Sequence, residues 1–260
     1  MNSNILFFDI DGTILSHRTS KISDSTKAAI KQAQSNGHLV FINTGRTLAE
    51  LDENITNIGF DGYVCGCGTY ITYHDEILHQ TTLSPELVKE LIEDLRVLNI
   101  EGILEGKQAV YYDNHIKNQV VRKIKEEQAL KHNVKSWNDK DISFDKFCIW
   151  SESDENYKLF YDKYKEALDF IRRSKHFTEV VPKNYSKATG IEFLLNHLNI
   201  PHENTFALGD STNDLTMLQY VKYSIGMGNS CKEILEMVSY ITDDVDNDGI
   251  ANALKHFYII

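Results

Sequence analysis

The 260-residue sequence predicts an α/β fold, a parallel sheet with its helices, interrupted by an inserted α+β domain. Short apolar runs bounded by polar residues recur near both ends of the chain, and each leads into a helix-like segment. That strand–helix rhythm implies βαβ units, and its return after residue 183 joins both ends into one sheet. Between about residues 84 and 182 the alternation stops. The expected division is therefore a core of residues 1–83 and 183–260 with an insert at 84–182, each of ordinary domain size.

Ile5-Leu6-Phe7-Phe8 ends at Asp9 and reads as a strand buried on both faces. Ser23-Asp24-Ser25-Thr26 supplies capping oxygens for a helix through Ala29, Ile30 and Ala33, and Gly37 falls where the helix should stop. Leu39-Val40-Phe41-Ile42 is the second strand, running into Asn43-Thr44-Gly45-Arg46 and a second helical segment. In the insert, helices are expected at Pro85 to Leu98, Lys117 to His132 and Glu155 to Ile171, with strands at Ala109 to Tyr112 and Lys146 to Trp150. Ser84 before Pro85 is a favourable helix start. The core resumes with a helix from Ser186 to Leu198, the strand Thr205-Phe206-Ala207-Leu208, and a helix from about Asp214. Strands at Tyr223-Ser224-Ile225 and Tyr240-Ile241 follow, with helices around Glu233 to Met237 and after Asp248-Gly249.

Composition excludes several classes. Hydrophobic residues at 42% and charged residues at 25% are ordinary for a globular protein, so disorder and low-complexity chains are out. A net charge of −11 without a Lys/Arg-rich run argues against nucleic acid and anionic membranes as partners, so any anionic ligand must be captured locally. Four cysteines are too few for a disulfide scaffold, and the apolar run from Ile5 meets Asp9 before a signal-peptide core could form. The expectation is a cytoplasmic protein.

Asp9-Ile10-Asp11-Gly12-Thr13 stands at a strand's C-terminal end, where open α/β sheets bind ligands. Two carboxylates at i and i+2 point the same way, and like charges about 4 Å apart cost roughly 4 kcal/mol at an effective dielectric of 20. A hard divalent cation offsets that cost, and Mg²⁺ is commonly held by one or two carboxylates plus phosphate oxygens. The plainer reading is a solvated turn. Thr44 and Gly45 after the second strand offer a hydroxyl and a permissive amide for a phosphate oxygen, or simply an ordinary strand-to-helix turn. Gly209-Asp210-Ser211-Thr212-Asn213-Asp214 brings two more acids to a strand end, though all four polar types there also favour helix caps. Lys187 opens a helix, where the helix dipole disfavours a cation unless an anion is near. Cys65-Gly66-Cys67 lacks a second Cys/His pair at zinc-site spacing and reads as buried strand. The ten histidines show no metal-ligand or catalytic pattern.

Together the four segments resemble the haloacid dehalogenase superfamily of phosphohydrolases. Asp9-Ile10-Asp11-Gly12-Thr13 is similar to its first motif, Thr44 to its second, Lys187 to its third, and Gly209 through Asp214 to its fourth, in the right order. The insert between Arg46 and Lys187 resembles the type IIB cap of the Cof-type subfamily. Met227-Gly228-Asn229 and Asp248-Gly249-Ile250 resemble that subfamily's C-terminal signature. Two departures stand out: Cys67-Gly68-Thr69 where relatives usually carry Asn-Gly-Ala, and Ala188 where a glycine usually follows the lysine.

The resemblance implies a Rossmann-like core and an aspartyl-phosphate mechanism. Asp9 would attack phosphorus, and Asp11 would protonate the leaving alkoxide and then deprotonate the attacking water. For that, Asp11 must hold a proton that an ordinary Asp, with a pKa near 3.9, gives up. The resemblance also implies Mg²⁺ on the Asp9 carboxylate, the Asp11 backbone carbonyl and Asp210. Lys187, Thr44 with the Gly45 amide, and Asn213 would bind the non-bridging phosphate oxygens, with Asp214 orienting Lys187 or a metal-bound water. The implied partner is a small phosphorylated metabolite such as a sugar phosphate, pyridoxal phosphate or nucleotide, with the cap choosing the leaving group. A phosphomutase of the same superfamily and a phosphoaspartate regulatory module are the alternatives. Against the regulator, Asp11 places an acid/base two residues after the nucleophile. Nothing in the sequence selects an oligomeric state.

Overall fold

The computed structural model describes residues 3–74 and 76–260. The chain begins with β1 (Ile5–Phe8), α1 (Asp24–Ser35), β2 (Leu39–Asn43), α2 (Glu53–Thr56), β3 (Gly62–Cys65), β4 (Tyr70–Tyr73) and β5 (Glu76–Gln80). It continues through α3 (Pro85–Val97), β6 (Glu101–Glu105), β7 (Val110–Tyr112), α4 (Gln119–Ala129), β8 (Val134–Ser136), β9 (Lys146–Trp150), α5 (Asp154–Tyr164), β10 (Leu168–Arg172) and β11 (Phe177–Pro182). It closes with α6 (Lys187–Leu198), β12 (Thr205–Gly209), α7 (Leu215–Tyr220), β13 (Tyr223–Gly226), α8 (Lys232–Leu235), β14 (Tyr240–Ile241) and α9 (Gly249–His256). Two compact units result. One takes in the chain up to Gly45, Glu53–Leu78 and Ser186–Ile260; the other takes Arg46–Asp52 and His79–Tyr185.

In the first unit the described strands form one sheet in the order β14-β13-β12-β1-β2-β3-β4-β5. From β14 to β3 the pairs are parallel, and β4 turns back antiparallel on β3. The sheet is therefore the parallel α/β core that the apolar runs predict. All four residues of β1 have no exposed surface, as a central strand covered on both faces requires. Phe7 lies in register with Ala207 on one side and Phe41 on the other, within a core that also holds Ile191, Leu194 and Met217. Ser23 caps α1 by accepting from the Thr26 amide, and Gly37 at φ +87° ends it.

The second unit has a sheet in the order β10-β11-β9-β6-β7-β8. Its core packs Leu91 and Leu95 of α3 and Phe160 of α5 against Leu104, Phe147 and Ile149 of the strands. Three local expectations need correction. The helix expected from Glu155 to Ile171 stops at Tyr164, and Leu168–Arg172 pairs antiparallel with β11. The helical segment expected after Arg46 is only a 3₁₀ turn at Leu48–Glu50 followed by the single-turn α2. Cys65-Gly66-Cys67 is not continuous strand: β3 ends at Cys65, and the chain turns through Gly66–Gly68 with Cys67 left-handed at φ 57°.

Candidate active site

The site is built at the carboxyl ends of β1 and β12, neighbours in the sheet of the first unit. β1 runs straight into Asp9, whose amide donates to Leu208 O at 3.0 Å and so continues the strand ladder to the carboxylate itself. After Asp9 the chain must turn sharply. The Asp11–Leu15 bridge and the Gly12 amide donating to Leu15 O at 2.8 Å close that turn. Gly12 has φ +80°, and a Cβ there would lie 2.3 Å from Asp210 Oδ2. The glycine therefore lets the first acidic loop meet the second. Thr13 Oγ1 donates to Asp210 Oδ1 at 3.3 Å, and Asn229 Nδ2 holds Gly12 O at 2.8 Å.

β12 delivers Asp210, and the loop after it folds around Asp214. Asp214 Oδ2 accepts from the amides of Asp210 and Ser211 at 3.0 and 3.1 Å. A Cβ at Gly209 would lie 2.6 Å from the Asp214 carboxyl carbon, so this approach too requires glycine. Lys187, the first residue of α6, is 1% exposed. Its Nζ donates to Asp9 Oδ1 and to Asp214 Oδ1, each at 2.5 Å. Two buried carboxylates thus resolve the misfit of a cation at a helix start. Asn43 Nδ2 donates to Lys187 O at 3.0 Å and ties the end of β2 to that helix.

The remaining motif residues are placed as follows. Thr44 is buried, donates its amide to Val64 O at 2.9 Å and accepts from the Cys67 amide at 3.1 Å. Gly45 lies beside Cys67, whose Sγ would be 3.7 Å from a Cβ there. Asn213 is half-buried and accepts from Ser211 Oγ at 2.7 Å; Asp11 is half-buried. Asn43 and Asn229 brace the site, yet each stood in the sequence within a quoted motif without a role. Their signal was an amide adjoining acidic or hydroxyl residues, which turns share.

Electrostatically the acids are under strain. Burial, and then the Asp214 charge, push the Asp9 carboxyl up to about 8 against the opposing pull of Lys187. Asp210 is pushed up to about 6, again by burial first and the Asp214 charge second. For Lys187, burial favours the neutral amine, but Asp214 and Asp9 outweigh it and hold the ammonium well above its ordinary value. Carboxylate oxygens of Asp9, Asp210 and Asp214 all lie within 4.8 Å of one another. Asp214 is already engaged by Lys187 and two amides, whereas Asp9 Oδ2 is buried with no hydrogen-bond partner. An unpartnered carboxylate oxygen beside a second raised carboxyl fits a hard, oxygen-seeking dication such as Mg²⁺.

Comparison with known proteins follows the same lines. The profile of the haloacid dehalogenase-like hydrolases matches residues 6–254. YkrA of Bacillus subtilis, which carries a provisional phosphatase assignment, is 28% identical over the whole of both chains. Among solved structures, the subclass IIB sugar phosphatase BT4131 is 27% identical with a TM-score of 0.83, covering 99% of this chain and 100% of that one. BT1666 from Bacteroides thetaiotaomicron, described among phosphatases of the same superfamily, is 25% identical with a TM-score of 0.84 over 100% of this chain and 96% of its own. The chain belongs to the haloacid dehalogenase-like hydrolases. Within that family its enzyme class is that of the phosphatases, and its likeness is to subclass IIB.

Proposed function

We propose that the protein is a Mg²⁺-dependent phosphatase of small phosphorylated metabolites, working through an aspartyl-phosphate on Asp9. The observation that carries this reading is the division of the Asp9 carboxylate. Oδ1 is fixed by Lys187, and Oδ2 is buried and unpartnered, held ready at a strand end. A carboxylate locked in rotation by a buried ammonium is oriented for in-line attack without further ordering.

In this reading a carboxylate oxygen of Asp9 forms a bond to phosphorus as the ester P–O bond breaks. Asp11 gives its proton to the departing alkoxide. Asp11, now a carboxylate, takes a proton from the water that attacks the phosphoenzyme, releasing phosphate and restoring Asp9. Asp9 and Asp210, with the Asp11 carbonyl, would hold Mg²⁺, which when bound supplies the positive charge that lets a carboxylate approach a phosphate dianion. Lys187 counters charge on the transferring group. Thr44, the Gly45 amide and Asn213 are assigned to the non-bridging oxygens. Asp214 sets the position of Lys187 by direct contact and that of Asp210 through its amide.

Substrate choice is assigned to the inserted domain, with sugar phosphates, pyridoxal phosphate and nucleotides as the candidates. Among relatives, BT4131 is a sugar phosphatase, and YitU of Bacillus subtilis, 22% identical, is a 5-amino-6-(5-phospho-D-ribitylamino)uracil phosphatase. The proposed setting is the cytoplasm; among the described residues no helix is long and apolar enough to cross a membrane. The test is phosphate release from a panel of phosphomonoesters with Mg²⁺ or EDTA. Release that needs Mg²⁺ supports the reading, and release undiminished by EDTA contradicts it.

A further inference from the structure

The chain that leaves Thr44 and Gly45 passes at once into the second unit. Arg46–Asp52 clusters there, although Gly45 before it and Glu53 after it belong to the first. Several contacts within the second unit hold the segment. Ala49 packs on the apolar cluster of Val110, Tyr112 and Val121. His132, just past the end of α4, brings Nε2 within 3.8 Å of Asp52 Oδ1, and Arg46 Nη1 lies 3.6 Å from Asp52 Oδ2.

The hub of this set is Glu50, a buried carboxyl that needs hydrogen-bond donors. Its Oε2 accepts from the Thr47 amide at 3.0 Å and from Thr47 Oγ1 at 2.9 Å. Its Oε1 accepts from Gln128 Nε2 at 2.8 Å, and Gln128 Oε1 accepts in turn from the Tyr112 hydroxyl at 2.6 Å. An amide NH₂ only donates, so the two contacts of Gln128 agree on a single orientation of its side chain. Tyr112 is wholly buried, which fixes the far end of the relay. The near end is Thr47, three residues after Thr44. With both its amide and its hydroxyl held, Thr47 fixes the direction in which the chain leaves the Thr44–Gly45 turn.

We propose that Gln128, oriented by Tyr112, is a positioning residue for the phosphate-binding turn. The inserted domain then sets phosphate affinity through Glu50 and Thr47, by way of the chain and without Gln128 touching phosphate. The inference rests on the assignment of Thr44 and the Gly45 amide to the phosphate oxygens.

Orthophosphate is the probe, titrated calorimetrically into the full-length protein at saturating Mg²⁺, with Mg²⁺ alone as the control. Gln128→Met keeps the length of the side chain and removes the amide. Its Kd for orthophosphate should rise about fivefold or more, while that for Mg²⁺ stays within about twofold, because the acids assigned to the cation lie on other loops. Tyr112→Phe, which removes only the hydroxyl, should weaken orthophosphate about twofold or more in the parent and add nothing in Gln128→Met. Loss of packing alone would instead act equally in both backgrounds. Unchanged orthophosphate affinity in folded Gln128→Met, an equal loss of Mg²⁺ affinity, or the same effect of Tyr112→Phe in both backgrounds would overturn the inference. If Gln128→Met does not fold, Tyr112→Phe decides: weaker orthophosphate binding with Mg²⁺ binding kept supports the inference, and unchanged binding overturns it. A parent protein that binds no orthophosphate overturns the assignment of the turn and this inference with it. A parent that binds, with both variants unchanged, overturns this inference alone.

Discussion

Lys187 Nζ lies 2.5 Å from Asp214 Oδ1 and the same distance from Asp9 Oδ1, in a site where all three side chains are at most 3% exposed. One ammonium on α6 therefore bridges two carboxyl groups that β1 and the loop after β12 bring in from distant parts of the sequence. Such an arrangement is both a structural joint and the electrostatic basis of the proposed chemistry.

Lys187→Met should remove both functions together. Breaking a buried ion pair by deleting one partner typically costs about 3–5 kcal/mol, because the remaining charge is left uncompensated. Urea unfolding should show that loss above pH 8, and it should shrink as pH falls below about 8, where Asp9 takes up a proton. Phosphate release should fall about 10²-fold or more.

Asp214→Asn and Asp11→Asn should separate positioning from catalysis. Asp214 has no exposed surface and satisfies Lys187 and two amides. Its asparagine variant should lose about 3–5 kcal/mol of stability as well as activity. Asp11 is half-buried, so Asp11→Asn should stay within about 0.5 kcal/mol of the parent. Its phosphate release should nevertheless fall about 10²- to 10⁴-fold. Denaturation and activity measured side by side check both variants.

Gly12→Ala should damage the site through geometry alone. The new Cβ would stand 2.3 Å from Asp210 Oδ2, and an alanine at φ +80° adds about 1–2 kcal/mol of backbone strain. The expected outcome is a Mg²⁺ half-saturation raised about tenfold or more as Asp210 is displaced. Titration calorimetry on the folded variant measures it.

Acidity and cation binding should be linked with a definite sign. Asp9 and Asp210 are raised to about 8 and 6, above the ordinary Asp value. Without a cation, the folded chain therefore holds more protons than the unfolded one between about pH 4 and pH 8, and loses stability as pH rises through that window. A bound dication favours the ionised carboxylates and counters that loss. Saturating Mg²⁺ should thus raise Tm more at pH 8 than at pH 5, by about 5 °C or more at the higher pH. An equal effect at both values would contradict the assignment of these two acids to the cation.

Much of this was legible in the sequence because it is local. The strand runs Ile5–Phe8 and Thr205–Leu208 end in acids, so the meeting of Asp9 and Asp210 follows once both strands lie side by side in one parallel sheet. What the sequence hid depends on distant partners. Tyr157, Phe160, Tyr164, Leu168 and Ile171 keep a helical spacing, yet the helix stops at Tyr164 because Leu168–Arg172 finds a ladder on β11. Arg46–Asp52 follows the Thr44 motif directly but clusters with the second unit, where Gln128 Nε2 donates to Glu50 Oε1 at 2.8 Å. No composition change marks that shift. Asn43 braces Lys187 across 144 positions, a contact that no spacing rule reaches.

The most direct test of the account is chemical trapping of the phosphorylated residue during turnover with a cleaved phosphomonoester and Mg²⁺. Borohydride reduces an aspartyl-phosphate to homoserine, and peptide mass spectrometry locates the change. The account predicts homoserine at position 9, dependent on substrate and Mg²⁺, with Asp9→Asn neither trapped nor active. Phosphate release that persists in Asp9→Asn, or trapping at Asp11, Asp210 or Asp214 instead, would contradict it.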